Sequence, residues 1–197
     1  MMHIAQRLAL SLLMCLALTA QAQSPSPQVK FVTNAGEFVV ELYPDKTPKT
    51  VENFLAYVRD GHYNGTLFHR VINNFMVQGG GYDTKYNEKN TRAPIKHEGA
   101  EAKANGGLRN SVGTLSMART NNPHSATAQF FINVKDNDFL DHQSPTPQGW
   151  GYVAFGKVVS GMDVVNRIKA MPTGPGGPFP TDVPQTPVVI QTATLVK

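Results

Sequence analysis

Apolar residues recur along this chain with two different periods, and the shorter period comes first. Two runs rich in β-branched and aromatic residues, 29–33 and 37–43, flank the tripeptide Asn34-Ala35-Gly36. Runs of this kind, joined by a short segment that contains glycine, are typical of a β-hairpin. We therefore predict that the fold begins with two paired antiparallel strands.

A longer period, typical of a helix, follows this hairpin. Thr47 is placed to act as an N-cap, Pro48 takes the first helical position, and Gly61 comes after the last apolar residue. The apolar residues between these signals fall at i, i+3, i+4 and i+7: Val51, Phe54, Leu55 and Val58. One apolar stripe predicts a helix that covers another layer on one side. A weaker helical pattern spans residues 162–170.

Short apolar runs fill most of the remaining chain. We predict strands over residues 67–72, 75–78, 113–117, 130–134, 152–159 and 188–196. Many short strands with few helices favour a mainly β fold, either a closed antiparallel barrel capped by the helices or a sandwich. The polar segment 82–110 is interpreted as irregular. The proline-rich segment 171–187 is interpreted as a surface loop, with a polyproline ligand as the alternative.

Three polar residues interrupt the apolar pattern. With a period of two, Arg70 shares a strand face with Phe68 and Ile72. Gln78 and Gln129 also stand next to large apolar residues. Because apolar cores reject unpaired polar groups, core packing does not explain these residues. They indicate an apolar cleft with a few placed hydrogen-bonding groups.

The first residues have the layout of a secretory signal peptide. Arg7 precedes an apolar run over residues 8–20, and Ala22 closes a small-x-small cleavage site. We predict cleavage after Ala22. The alternatives are an uncleaved anchor and a lipoprotein signal that ends at Cys15.

The predicted organisation is a signal peptide at 1–22, a flexible linker at 23–28 and one domain at 29–197. We expect the mature protein in the periplasm, with secretion as the alternative and without stable membrane association. Cleavage would remove the only cysteine, so we expect no disulfide framework. It would also remove one of the 18 Lys+Arg residues against 14 Asp+Glu, which leaves a net charge of about +3. We expect a monomer.

Several function classes lack their sequence signals. The basic residues are scattered and form no cluster with aromatic residues, so we expect no nucleic acid partner. Outside the predicted signal peptide the histidines are His62, His69, His97, His124 and His142. They show no metal-ligand spacing, so we predict no metal site. No G-x-S-x-G motif supports a hydrolase.

Five motifs carry the remaining polar and aromatic residues. They are FHRVINNFMVQGG at 68–80, GTLSMART at 113–120, AQFFINV at 128–134, DNDFLD at 136–141 and GYVAFGKVVSGMDVV at 151–165. Together and in this order they resemble the cyclophilin family of peptidyl-prolyl cis-trans isomerases, most closely its bacterial periplasmic members. The resemblance runs from residue 29 to PVVI at 187–190. It implies an eight-stranded antiparallel closed β-barrel capped by two α-helices.

The resemblance also implies residue roles. Arg70 in FHRV matches the catalytic arginine of the family. The matching substrate-binding residues are Phe75, Met76, Gln78, Ala118, Arg119, Gln129, Phe131, Phe139, Leu140 and Tyr152. Many cyclophilins have tryptophan where this chain has Phe139 and histidine where it has Tyr152, and this weakens the expectation of tight cyclosporin binding. Trp150, in the insertion 143–150 between them, is interpreted as a packing anchor, with a role at the cleft rim as the alternative.

The implied activity is acceleration of X-Pro bond rotation, with no cofactor. The expected partners are proline-containing, unfolded or partly folded exported polypeptides. The alternative function is a periplasmic peptide-binding chaperone whose isomerase activity is incidental.

Overall fold

The computed structural model describes residues 26–196. The predicted signal peptide and most of the predicted linker lie outside the described residues, so both stay predictions. Among the residues described, no helix combines the length and apolar character that crossing a membrane requires.

The described chain contains eleven strands and three α-helices. The strands are β1 (Gln28–Thr33), β2 (Gly36–Leu42), β3 (Thr66–Leu67), β4 (Arg70–Ile72), β5 (Met76–Gly79), β6 (Thr114–Met117), β7 (Phe130–Asn133), β8 (Ala154–Ser160), β9 (Thr173–Gly176), β10 (Phe179–Pro184) and β11 (Val189–Leu195). The helices are α1 (Pro48–Arg59), α2 (Gly99–Ala104) and α3 (Met162–Lys169), with a 3-10 turn at Asp138–Leu140. The predicted opening hairpin and the two predicted helices are confirmed.

Nine strands form one antiparallel sheet in the order β3-β11-β1-β2-β8-β6-β7-β5-β4, and the sheet curls into an open half-barrel. The expected mainly β, cyclophilin-like fold is confirmed. The expected eight-stranded closed barrel with two helices is not, because the described sheet has nine strands, is open and is accompanied by three helices. The strand predicted over 67–72 is interrupted at Phe68 and His69, which gives two short strands, β3 and β4. β3 and β4 are the two edge strands of the sheet and are not paired with each other. Phe68 and His69 connect them along the chain and so bring the two edges together.

Aromatic rings fill the space between the curled sheet and α1. Phe54 on α1 packs against Phe155 on β8 at 5.0 Å between ring centroids and edge-on against Phe130 on β7 at 5.7 Å. Phe31 on β1 stacks on Phe38 on β2 at 4.9 Å. All of these rings are fully buried. The apolar stripe of α1 therefore covers the core side of the sheet, as the periodicity predicted.

Helix α1 begins where predicted, but its N-terminus is capped differently. Thr47 occupies the N-cap position without a side-chain cap hydrogen bond; its hydroxyl donates to the Tyr43 carbonyl at 3.3 Å. The carboxylate of Glu98 accepts from the backbone N–H groups of Lys49 at 3.0 Å and Thr50 at 2.7 Å. Glu98 is buried and lies far from α1 in the sequence. A distant segment of the chain therefore supplies the acceptors that the N–H groups of the first helical turn need.

Two segments interpreted as irregular contain regular structure. Residues 82–110 include the short helix α2, and residues 171–187 include the antiparallel hairpin of β9 and β10. The interpretation of 171–187 as a surface loop is therefore wrong. Proline and glycine are poor strand formers, so the two short strands have almost no sequence signal. Val183 of β10 is buried, which shows that the hairpin is anchored to the rest of the molecule.

Candidate active site

A pocket of about 310 Å³ opens on the face of the sheet formed by β4, β5 and β7. Arg70 on β4 pairs with Gln78 on β5, and Gln78 pairs in turn with Phe131 on β7. This register sets a guanidinium, an amide and an aromatic ring side by side across three strands. The pocket is lined by ten of the eleven predicted site residues: Arg70, Phe75, Met76, Gln78, Ala118, Arg119, Gln129, Phe131, Leu140 and Tyr152.

A polar strip crosses the pocket. Nη1 of Arg70 lies 3.5 Å from Oε1 of Gln78, and Nε2 of Gln78 donates to Oε1 of Gln129 at 3.1 Å. The first of these contacts is at the outer limit for a hydrogen bond, so it restrains the guanidinium only weakly. Within residues 26–196, no carboxylate forms an ion pair with Arg70. The guanidinium therefore has donors to offer to a bound molecule.

Beside the strip lies an apolar cluster, which we call the pocket floor. Met76, Phe131 and Leu140 are buried together in it, separate from the main core. Phe75 and Tyr152 are partly buried against this cluster, and the Tyr152 ring meets Phe131 nearly edge-on at 5.5 Å. A small apolar ring is the kind of ligand such a floor would bury.

The strand-face prediction needs one correction. Ile72 packs at the pocket floor and Arg70 lines the pocket, as the period of two predicted. Phe68, however, belongs to the main core together with Val71. The prediction that Phe68 shares the face of Arg70 is wrong because the break between β3 and β4 shifts the alternation.

Arg119 also lines the pocket, and a backbone carbonyl holds its guanidinium in place. Its Nε and Nη2 donate to the carbonyl of Gly151 at 3.0 and 2.8 Å, and its guanidinium carbon lies 4.6 Å from the centre of the Tyr152 ring. Nε2 of His97 lies 3.3 Å from the same carbonyl. Gly151 has φ +60, and a Cβ there would lie 2.4 Å from the Leu140 carbonyl oxygen, so this turn requires glycine.

Trp150 anchors the insertion 143–150. Its ring lies 5.4, 5.2 and 5.7 Å from the rings of His97, His124 and His142. Trp150 does not line the pocket. Its position agrees with a packing anchor.

A buried amide network supports the pocket from below. Nδ2 of Asn137 donates to the Phe75 carbonyl at 2.9 Å and to Oδ1 of Asn133 at 2.8 Å. Nδ2 of Asn110 donates to the carboxylate of Asp141 at 2.9 Å and to the Tyr152 carbonyl at 3.2 Å. The network ties the backbone of two pocket residues to the sheet. Sequence reasoning missed these asparagines, because asparagine is common in ordinary turns.

Phe139 is the one predicted site residue that the pocket does not include. The 3-10 turn points Leu140 into the pocket floor and leaves Phe139 72 % exposed. Its ring stacks over Phe75 at 6.0 Å, and it lines an adjoining open depression together with Pro147 and Gln148. Its position is at the rim.

Three further aromatic residues line the pocket and were not predicted: His69, Tyr82 and Phe179. His69 stacks on Phe179 at 5.3 Å, and Tyr82 meets both rings nearly edge-on at 4.7 and 5.1 Å. Phe179 comes from the β9–β10 hairpin. Its only sequence signal is that it is a lone aromatic residue in the proline- and glycine-rich segment.

Two histidines near the pocket are held neutral at neutral pH. Burial lowers the pKa of His69 to about 4, and the positive charge of Arg70 contributes in the same direction. Burial likewise lowers the pKa of His97 to about 4, reinforced by the charges of His142, Arg119 and His124. Across residues 26–196, no cluster of three or more His, Cys, Asp or Glu residues is arranged to hold a metal ion.

The chain belongs to a family of known activity. The family described as "Cyclophilin type peptidyl-prolyl cis-trans isomerase/CLD" matches residues 28–195. Peptidyl-prolyl cis-trans isomerase cyp18 of Streptomyces antibioticus is 57 % identical over 168 residues, which cover 85 % of this chain and 98 % of the relative. Peptidyl-prolyl cis-trans isomerase B of Escherichia coli K12 is 54 % identical over 167 residues, with the same coverage of both chains.

Solved structures agree with this assignment. A crystal structure of a cyclophilin type peptidyl-prolyl cis-trans isomerase from Cryptosporidium parvum aligns with a TM-score of 0.62 and 26 % identity, over 87 % of this chain and 98 % of that one. A second crystal structure of that protein, in the presence of the dipeptide Ala-Pro, aligns with a TM-score of 0.61 and 27 % identity, over 86 % and 99 % of the two chains. This chain is therefore a cyclophilin-type peptidyl-prolyl cis-trans isomerase.

Proposed function

We propose that Arg70 is the catalytic residue and that the pocket floor binds the substrate proline. The observation that carries the proposal is the place of the Arg70 guanidinium: on the pocket wall, beside an apolar cluster and with no carboxylate partner in residues 26–196. The pyrrolidine ring would pack on Met76, Phe131 and Leu140. Arg70 would then donate a hydrogen bond to the proline nitrogen.

Such a bond favours the transition state over the ground state. In a planar X-Pro amide the nitrogen lone pair is delocalised, so the nitrogen is a poor acceptor. As the bond twists, conjugation is lost and the nitrogen becomes basic. The Arg70 hydrogen bond strengthens at that point and lowers the barrier instead of tightening substrate binding alone.

The size of the effect requires more than one group. Uncatalysed X-Pro isomerisation takes tens to hundreds of seconds, so a millisecond turnover is a ~10⁵-fold acceleration, or ~7 kcal/mol. A preorganised hydrogen-bond donor at a site where charge develops contributes ~2.7–4 kcal/mol. The remainder would come from holding the peptide with its bond already strained, through Gln78, Gln129 and the backbone of Ala118 and Arg119. The reaction breaks no covalent bond, so no nucleophile or cofactor is needed.

We propose unfolded or partly folded, proline-containing exported polypeptides as the substrates, acted on in the periplasm by a monomer. The layout of residues 1–22 supports export. The Cryptosporidium relative crystallised in the presence of Ala-Pro supports short proline-containing peptides as ligands. Export is tested by cell fractionation and by sequencing the N-terminus of the mature protein. A first residue of Gln23 in the periplasmic fraction is expected, and an intact N-terminus in the cytoplasm contradicts it.

The catalytic role is tested by comparing turnover with affinity in the purified protein. Arg70→Ala should lower kcat/KM for an X-Pro peptide by at least about 100-fold, because the bond it removes acts in the transition state. Peptide affinity should fall far less. The matched control is Arg59→Ala, which removes an exposed arginine paired with Glu52 on α1. If Arg70→Ala loses affinity and turnover to the same extent, the chaperone-like alternative, in which Arg70 only binds, is favoured.

A further inference from the structure

The pocket has a second apolar end beyond the polar strip. We call the three rings of His69, Tyr82 and Phe179 the aromatic wall. The rings of the aromatic wall contact one another and do not pack against the pocket floor. The floor is a separate cluster made of Met76, Phe131 and Leu140, with Phe75 and Tyr152 packed against it. One continuous pocket nevertheless includes both groups.

The polar strip lies between the two apolar groups. Gln78 faces Phe131 of the pocket floor across the β5–β7 ladder. Arg70 directly follows His69 of the aromatic wall. Gln129 is at the other end of the strip. Its side chain lies 2.5 Å from the position that a Cβ on Gly81 would take, and Gly81 directly precedes Tyr82 of the aromatic wall. A peptide whose proline ring lies on the floor and whose backbone meets the strip would therefore bring a neighbouring side chain toward the wall.

The aromatic wall is held in place by the β9–β10 hairpin. Tyr86 packs over the turn of the hairpin: a Cβ on Gly177 would meet its ring, and the Tyr86 ring lies 6.3 Å from Phe179. Val183 of β10 is 2 % exposed. The hairpin therefore presents Phe179 to the pocket from a fixed position, and Phe179 and Tyr82 remain half-buried with surface facing the pocket.

The wall is uncharged at neutral pH. His69 is almost fully buried and its Nδ1 has no hydrogen-bond partner in residues 26–196, an arrangement that a protonated imidazole would not tolerate. Its lowered pKa agrees with this. Tyr82 meets the rings of His69 and Phe179 nearly edge-on, and a further apolar or aromatic side chain can pack against such rings in the same geometry.

We propose that the aromatic wall is a specificity subsite, which takes a large apolar or aromatic side chain next to the proline in the substrate. The inference rests on the proposed placement of the proline on the pocket floor. It assigns to the β9–β10 hairpin a part in substrate choice: Phe179 acts as the selecting residue.

The test uses two peptide series, Ala-X-Pro-Ala and Ala-Ala-Pro-X, with X as Ala, Leu, Phe or Glu. In the unsubstituted protein, kcat/KM for X = Phe should exceed that for X = Ala by about tenfold in one of the series, the usual scale for filling one apolar pocket. Phe179→Ala should reduce this ratio to within about twofold, and Phe179→Leu should retain most of it. Thr181→Ala, an exposed change on the same hairpin, is the matched control and should keep the ratio.

The outcomes separate the subsite from the proposed function. Loss of the Phe-to-Ala ratio with measurable turnover of the Ala peptides supports the subsite. An unchanged ratio in Phe179→Ala, or no preference for Phe in either series, overturns it, even if the variant is less stable. Loss of turnover on every peptide alike also overturns it, because Phe179 would then serve the pocket as a whole. An effect of Arg70→Ala on binding alone would count against the proposed catalytic step and not against the wall.

Discussion

Gln78 donates a hydrogen bond from Nε2 to Oε1 of Gln129 across 3.1 Å, and this bond joins β5 to the segment that precedes β7. Gln129 can occupy its position only because residue 81 is glycine. A Cβ at Gly81 would lie 2.5 Å from both Cγ and Cδ of Gln129. The missing side chain at Gly81 thus helps to hold the polar strip together.

Gly81→Ala should therefore displace Gln129 without unfolding the protein. The clash is with a flexible side chain, and the φ of Gly81 is not in the left-handed region. We expect kcat/KM to fall by about tenfold, since small misplacements of positioning groups are costly. Gln129→Ala should cause a similar loss, and the double variant should lose little more. Additive losses in that kinetic cycle would show that Gly81 acts through another group.

Asn137 should contribute strongly to stability although it touches no substrate. It is 1 % exposed and its amide donates to both Phe75 and Asn133. Asn137→Ala leaves the Oδ1 of Asn133 without this donor, so we expect a loss of about 1–3 kcal/mol in the free energy of unfolding, measured by denaturant titration. Asn90→Ala, at an exposed asparagine, is the control and should change it by less than about 0.5 kcal/mol. Equal effects of the two substitutions would contradict the network.

Stability should fall as the pH is lowered from about 6.5 to about 4. The folded-state pKa of His69 lies at about 4, below its unfolded value of 6.5, so in this window the unfolded chain binds a proton that the folded chain does not. The stabilisation is complete above the unfolded pKa and is lost as the pH falls through the window. His69 alone accounts for about 3 kcal/mol by this linkage.

The pH effect is isolated by a variant that cannot titrate. We expect His69→Phe to show a smaller drop in the free energy of unfolding between pH 7 and pH 4 than the unsubstituted protein. Denaturant titrations at several pH values give this drop for each of the two proteins. Subtracting one drop from the other removes the contribution of the carboxylates, which both proteins share. The same drop in both proteins would mean that His69 is charged in the folded state.

Phe139 and Leu140 are neighbours in sequence but should differ in importance. Leu140 is part of the buried pocket floor, whereas Phe139 is exposed at the rim. Leu140→Ala should reduce kcat/KM by more than about tenfold, because it removes surface that the proline ring would cover. Phe139→Ala should reduce it by less than about threefold. A larger loss for Phe139→Ala would place the rim residue in direct contact with the proline.

Much of the pocket lining was predictable because strand alternation and motif resemblance are local signals. They identified Arg70, Gln78 and Gln129 and most of the other residues that line the pocket. The turn at Asp138–Leu140 was not predicted, and it separates Phe139 from Leu140. The alternation also failed at Phe68, where the break between β3 and β4 changes which face each residue takes.

The parts that were missed depend on tertiary structure. Glu98 caps α1 from about fifty residues away in the chain, and a capping signal is sought only next to the helix. Phe179 reaches the pocket on a hairpin in which half of the strand residues are proline or glycine, and these carry little strand propensity. Asn137 resembles any turn asparagine until the fold buries it. None of these contacts leaves a periodic trace in the sequence.

The central claim is that Arg70 lowers the barrier to rotation of the bound X-Pro bond. NMR exchange spectroscopy on a peptide at saturating protein concentration measures cis-trans interconversion on the enzyme itself, apart from binding. For Arg70→Ala we predict an interconversion rate at least about 100-fold slower than in the unsubstituted protein, with the peptide still bound. An interconversion rate that stays the same in the bound state would contradict a catalytic role for Arg70.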